Sequence, residues 1–281
     1  WLTRPDHPQT ARVMVNRVWL HLFGQAVVAT PDDFGVYGAR PTHPKLLDHL
    51  AERFTREGWS VKRMIRAIAL TRTYQLDSRC DAKLAKADPD NHLFARHRRR
   101  RLDAESLRDG LLMASGSLDL SPGKGSDVQK TDALINWPPG ESTDLHRKSN
   151  RRSVYLCMLR HASPPELAAF DPPDPVKVVG VRNNTTLPSQ SLFLLNSPFV
   201  VEQAEILAQG LLANKGWDDA RRVSRLYRLA LQRTPSEVEL QRAIRYVQSI
   251  GSSLSEADRR QKSWASLCQA VLASNEFRYI D

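Results

Sequence analysis

The densest group of residues that could carry chemistry is a basic run from Arg96 to Arg101, which contains five arginines and one histidine. Crowded guanidinium groups repel one another unless anions or carboxylates neutralise them. Each group also presents a planar fork of N–H donors that matches sulfate, phosphate or carboxylate. We therefore predict that Arg99, Arg100 and Arg101 contribute to an anion-binding site. The alternative is a solvated connector whose charges are paired internally with nearby acidic residues, namely Asp103, Glu105 and Asp109.

A second basic group follows about fifty residues later and contains Arg147, Lys148, Arg151 and Arg152. We assign Arg151 and Arg152 to the same predicted anion site. Whether the two groups meet in one positive groove depends on the fold, and the sequence leaves that question open. A third set of arginines, Arg221, Arg225 and Arg228, falls on one face of a predicted amphipathic helix. A solvated outer face is the favoured interpretation of that set.

Three carboxylates are candidates for acid–base catalysis: Asp33, Asp103 and Glu105. If the arginines held an acidic sugar polymer, such carboxylates could protonate and deprotonate the reacting groups. An enzyme of this kind needs two carboxylates within about 5–10 Å of each other. The alternative for Asp33 is a structural turn in which its carboxylate accepts nearby backbone N–H groups.

A group of amide and hydroxyl side chains lies between a Pro-rich stretch and an apolar helix. These side chains could line a polar pocket, or they could cap helices and satisfy a buried turn. The candidates are Asn183, Asn184, Thr185, Thr186, Gln190 and Asn196.

The sequence predicts no metal site and no cofactor in this chain. None of the eight histidines is placed at the i, i+4 spacing of a helical zinc site. The three cysteines, Cys80, Cys157 and Cys268, are widely spaced, form no Cys-x-x-Cys pair and predict no disulfide framework.

Composition indicates a folded domain with a basic surface. The chain has 281 residues, 41% of them hydrophobic and 26% charged, with a formal net charge of +10. That charge favours acidic partners in general, such as anionic polysaccharide. Nucleic acid is the least favoured, because no zinc-finger, RNP or helix-turn-helix pattern accompanies the charge. No apolar run is long enough to span a membrane.

Helical periodicity dominates, so we expect a mainly α, irregular multi-helix domain with long loops and at most a small β element. The best strand candidate is 152–159. One domain over 1–281 is favoured, with possible lobes 1–170 and 176–281 joined by the Pro-rich connector 171–175. Because a helical pattern begins close to Trp1, with no initiator Met before it, we interpret the chain as a fragment of a longer one.

Several segments together resemble one family. They are Asn16-Arg17-Val18-Trp19 to Gly24, Thr30 to Gly35, Gly58 to Lys62, Arg99 to Glu105, Arg151 to Leu156, Thr185 to Val200, and Ser274 to Phe277. In this order they resemble the planctomycete-specific domain of unknown function of the 1553 type, found C-terminal to cytochrome-c-like modules. The resemblance implies an extracytoplasmic protein (periplasmic or secreted) with haem in an upstream module. It carries over no catalytic residue.

These observations favour a non-catalytic helical module of a cytochrome-associated protein that docks an anionic ligand or a partner domain, such as an upstream domain of the same polypeptide. An enzyme acting on sulfated or acidic polysaccharide is the alternative, and nucleic-acid binding ranks last.

Overall fold

The computed structural model describes residues 1–4, 6–123, 149–156, 158, 164–174, 176–251 and 256–280. It is 55% helical, with a two-stranded antiparallel sheet as its β element in the described residues, so the predicted mainly α class is confirmed. The helices are α1 (Thr10–Phe23), α2 (Pro44–Arg56), α3 (Val61–Ala69), α4 (Ala82–Ala87), α5 (Ala104–Ser115), α6 (Pro165–Ala168), α7 (Pro188–Asn196), α8 (Pro198–Ala213), α9 (Asp219–Leu231), α10 (Glu237–Gly251), α11 (Glu256–Leu272) and α12 (Asn275–Arg278). The strands are β1 (Arg100–Arg101) and β2 (Tyr279–Ile280).

The chain divides into two compact units. Among the described residues, unit 1 contains those of 1–100 and 179–181, and unit 2 contains those of 101–178 and 182–280. The division therefore falls inside the arginine run, whereas the possible division considered from the sequence lay at the connector 171–175.

Unit 1 is built on α1, which packs against α2 and α3. Its core is apolar, with Val15, Phe54 and Met64 all nearly inaccessible to solvent. Local chemistry sets the helix ends. Gly24 adopts φ of 71°, a conformation that favours glycine, and its N–H bonds to Leu20 O at the end of α1. The Ser60 side chain accepts the Arg63 N–H and begins α3.

Unit 2 is built on α8, which packs against α11 and also contacts α5. Its core includes the fully buried Trp264, Leu194 and Leu226. Aspartate caps begin two of its helices: Asp103 accepts the Ser106 N–H before α5, and Asp218 accepts the Arg221 N–H before α9. The β1–β2 pair brings the start of this unit to its end, since Leu102 N donates to Arg278 O at 2.7 Å.

The predicted strand at 152–159 is wrong in its described part. Residues Ser153–Tyr155 form a turn of 3₁₀ helix instead. The reason is a contact with α5, because both Ser153 N–H and Ser153 Oγ–H donate to Asp109 Oδ1 at 2.7 Å, which leaves that backbone group unavailable to a neighbouring strand. Residues 157 and 159 lie outside the described residues.

Candidate functional site

The predicted arginine site is split between the two units. Arg99 and Arg100 belong to unit 1, and Arg101 belongs to unit 2. The Arg100 guanidinium donates to His21 O at 2.5 Å. That carbonyl lies in the last turn of α1, where backbone acceptors lack helical partners and a cation is stabilising. Arg100 therefore stabilises the C-terminal end of α1.

Arg101 is buried in a polar network of unit 2. Its Nη2 donates to Asp171 Oδ2 at 2.8 Å and its Nε donates to Asn184 Oδ1 at 2.9 Å. Asp171 also accepts the Thr185 N–H and the Thr185 hydroxyl, each at 2.9 Å. Partial burial by itself raises the pKa of Asp171, but the Thr185 hydrogen bonds and the Arg101 charge outweigh it and lower the pKa. The Asp171 carboxylate thus stays ionised and joins Arg101 to Thr185.

The other polar-pocket candidates have separate positions. Gln190 is fully buried, and its Nε2 donates to Thr185 O at 3.0 Å at the start of α7. The Thr186 hydroxyl lies 3.4 Å from the Tyr279 hydroxyl. Asn196 donates to Leu192 O one helical turn earlier, and Asn183 is exposed. Asn184, Thr185 and Gln190 are brought together, in an arrangement that supports the chain around Asp171.

The second predicted basic group is described only in part, because Arg147 and Lys148 lie outside the described residues. Arg151 Nε lies 3.8 Å from Asp119 Oδ2, and Arg152 is exposed. The arginine that organises this segment is Arg108, which the sequence analysis did not single out. Buried in α5, it donates to the carbonyls of Ser149 and Arg151. A charged residue on the core-facing side of a predicted helix is the signal that could have identified it.

The three candidate catalytic carboxylates are engaged in structural contacts. Asp33 Oδ1 accepts the Gly35 N–H at 2.8 Å in unit 1, the turn that the sequence analysis gave as the alternative. In unit 2, Asp103 caps α5. Glu105 forms a two-point ion pair with Arg182, at 2.5 and 2.9 Å. Arg182 Nη1 is also 3.9 Å from Asp103 Oδ2, so one guanidinium neutralises both carboxylates.

A cavity with a basic lining lies on α9 of unit 2. Its volume is about 530 Å³, and we call it the basic groove. Its lining consists of one aromatic residue, one serine and the three arginines of the predicted stripe: Trp217, Arg221, Ser224, Arg225 and Arg228. Trp217 comes from the connection between α8 and α9, just before the Asp218 cap. The Arg221 guanidinium carbon lies 5.2 Å from the centre of the Trp217 ring, within cation–π range.

The three guanidinium groups of the basic groove have no carboxylate partner among the described residues. They are spaced four and three residues apart, so they are neighbours on one face of α9. Like charges at this spacing destabilise an isolated helix by about 0.2–0.5 kcal/mol per pair. An anion in the groove would remove that repulsion and could accept several charge-assisted hydrogen bonds.

The described residues contain no group of three or more His, Cys, Asp or Glu side chains that could hold a metal ion. They also contain no helix that is long and apolar enough to cross a membrane. Of the two described cysteines, Cys80 is exposed and Cys268 is buried, and burial raises the pKa of the Cys268 thiol.

The sequence was compared with known protein families and with known proteins. The sequence model of a family described as "Protein of unknown function (DUF1553)", also called PSD1, matches residues 1–247. No curated protein and no solved structure matches the chain.

Proposed function

We propose that this chain, which belongs to the DUF1553 family of proteins of unknown function, is a non-catalytic binding module whose basic groove holds an anionic ligand. The observation that carries the proposal is the lining of one cavity by three arginines without a carboxylate partner in the described residues. The proposal places the anion at Arg221, Arg225 and Arg228. The residues predicted from the sequence, Arg99 to Arg101 with Arg151 and Arg152, are the competing location.

The contacts of the competing residues favour α9. Arg100 and Arg101 already donate to protein acceptors, and Arg101 has a side chain only 3% exposed. A guanidinium that is committed to an ion pair offers less to a ligand than one that faces an open cavity. Arg225 and Arg228, in contrast, border about 530 Å³ of open space.

The carboxylates support a binding role over a catalytic one. General acid–base catalysis needs a carboxyl group that can exchange a proton with a ligand. Asp103 and Glu105 are held by a helix start and by Arg182. Asp33 is held in a turn of the other unit. None of the three lines the basic groove.

The setting of the module is also part of the proposal. The family resemblance suggests an extracytoplasmic protein with a haem-carrying module upstream, in which this module would dock acidic material. This chain contains no Cys-x-x-Cys-His haem attachment motif. Any haem would therefore be attached outside this chain in that arrangement.

The test is calorimetric titration of the chain with a heparin oligosaccharide, used as a sulfated polyanion, at low and high salt. The variant Arg221→Gln/Arg225→Gln/Arg228→Gln should bind at least roughly tenfold more weakly, because several charge-assisted hydrogen bonds are lost. Raising the salt concentration should weaken the wild-type interaction, since exposed charges are screened.

The matched control is Arg66→Gln/Arg242→Gln/Arg245→Gln. It removes the same charge from three exposed helical arginines outside the basic groove. If the control weakens binding as much as the groove variant does, the protein attracts anions only through its total charge. Equal binding by wild type and the groove variant would likewise contradict the proposal.

A further inference from the structure

A second cavity of unit 2 adjoins the basic groove. Its volume is about 270 Å³, and it shares Trp217 and Arg225 with the groove. The rest of its lining comes from the end of α5, from α8 and from the later part of α9. We call it the apolar cavity, because its lining is mostly apolar: Met113, Ala114, Leu207, Leu211 and Leu229, with Ser115, Gly116 and Gly210.

The apolar cavity is open to side chains from outside. Met113 at its edge is 55% exposed. Gly210 lies within α8, and a Cβ atom added to it would meet nothing within 4 Å. The floor is formed by Leu207 and Leu211, which belong to the core and are fixed by it. A preformed apolar depression therefore lies directly beside three guanidinium groups.

We propose that the basic groove and the apolar cavity together bind an acidic peptide segment of a protein partner. Carboxylates of the peptide pair with Arg221, Arg225 and Arg228, while one apolar side chain enters the apolar cavity. This inference rests on the proposed function and specifies its ligand.

Charge complementarity admits an acidic peptide, since carboxylates spaced along a peptide match arginines spaced along α9. The apolar cavity favours the peptide over a sulfated polysaccharide, because a peptide can supply an aliphatic side chain and a sulfated sugar polymer cannot. The residue types agree with this inference, as Trp, Met and Arg are enriched at the centres of protein interfaces. Trp217 and Arg225 lie where the two halves meet.

The experiment measures fluorescence anisotropy of labelled peptides with the complete chain. The first probe is an oligoglutamate peptide with one central leucine, and the second has alanine in place of that leucine. The leucine peptide should bind roughly tenfold more tightly, because burying the larger side chain is worth about 1.5 kcal/mol or more. A heparin oligosaccharide serves as the competing probe.

A matched pair of variants isolates the apolar cavity. Gly210→Leu places a side chain in the cavity, and Gly210→Ala makes the same backbone change while leaving most of the space open. Gly210→Leu should remove the advantage of the leucine peptide and leave the alanine peptide unaffected. Gly210→Ala should keep most of that advantage. Circular dichroism checks that both variants remain helical.

The outcomes separate this inference from the proposed function. If heparin binds through the three arginines but both peptides bind equally, the peptide inference is wrong and the anion-binding function stands. A persisting leucine advantage in Gly210→Leu also contradicts the inference. If neither heparin nor either peptide depends on Arg221, Arg225 and Arg228, the proposed function itself is wrong.

Discussion

The two units bury different kinds of polar side chain. Unit 1 buries short ones, namely Asn16, Asp88, Asn91 and His97. Unit 2 buries four arginines, Arg101, Arg108, Arg222 and Arg278, together with glutamine and serine side chains. Among the described residues of unit 1, no arginine is buried to this degree.

In unit 1 the buried Asn16 and Asp88 side chains fix nearby backbone. Asn16 bonds to both backbone groups of Val28, at 2.8 and 3.1 Å. The Asp88 carboxylate accepts the N–H groups of His92 and Leu93, each at 2.8 Å. Each such group spans a short stretch of chain, and a buried backbone group that loses its partner costs free energy.

In unit 2 two of the four buried arginines join distant stretches of chain, whereas Arg222 and Arg278 bond to residues nearby in sequence. Arg101 bonds to residues 70 and 83 positions away, and Arg108 bonds to residues more than 40 positions away. A long side chain with five donors can satisfy several separated acceptors at once. Asn16 and Asp88 of unit 1 therefore hold backbone at most 12 positions away, whereas Arg101 and Arg108 of unit 2 join segments more than 40 positions apart.

The largest effect should follow removal of one such contact. In Arg101→Met, Asp171 keeps its burial but loses its counter-charge, so we expect a loss of about 3 kcal/mol in the free energy of unfolding. Urea unfolding measures the loss, and hydrogen exchange should place it in residues 101–178 and 182–280. Arg152→Met removes an exposed arginine and should change stability by less than about 0.5 kcal/mol. Equal effects of the two substitutions would contradict the comparison.

A smaller effect should follow removal of a turn-fixing side chain in unit 1. Asn16→Ala leaves the buried backbone N–H and C=O of Val28 without partners, at an expected cost of about 2 kcal/mol. Hydrogen exchange should show the faster opening within residues 1–100. Asn196→Ala, at an exposed helical position, is the control and should cost less than about 0.5 kcal/mol. If Asn16→Ala loosened unit 2 as strongly as unit 1, the two units would not be separate in stability.

Local signals in the sequence predict most of the helices. Two helices begin at the N-caps Ser60 and Asp103, and α1 ends at Gly24. Such ends can be read from the sequence because a cap depends on neighbours within a few residues. The division at residue 100 and the partners of Arg101 could not be predicted in this way. They depend on contacts between segments far apart in sequence. In addition, arginine is mostly exposed in folded proteins, so its residue type alone predicts a surface position.

The basic groove shows the same limit. Helical periodicity predicts that Arg221, Arg225 and Arg228 share one face of α9. A solvated outer face is the interpretation favoured from the sequence, whereas we propose that this face binds an anion. What the pattern could not predict is the cavity itself. Trp217 completes it from a connecting segment, and no periodicity determines where such a segment runs.

The smallest predicted effect is a difference in the pH at which each unit weakens. In unit 1, burial and the nearby Arg100 charge lower the pKa of His97 below its ordinary 6.5. The unfolded chain therefore binds a proton more readily, and the stability that neutral His97 supports should be lost as the pH falls below about 6.5. In unit 2, the hydrogen bond from Arg233 lowers the pKa of Glu239 from 4.5 to about 2.

Because its folded-state pKa is depressed, Glu239 stabilises unit 2 above about pH 4.5, and this stability should be lost as the pH falls towards 2. Hydrogen exchange between pH 7 and pH 5, corrected for intrinsic rates, should therefore show unit 1 losing roughly 1 kcal/mol or less while unit 2 keeps its protection. His97→Phe should flatten the response of unit 1, whereas His49→Phe, on the exposed side of α2, should not. A loss shared equally by both units above pH 5 would show that a group other than His97 governs the response.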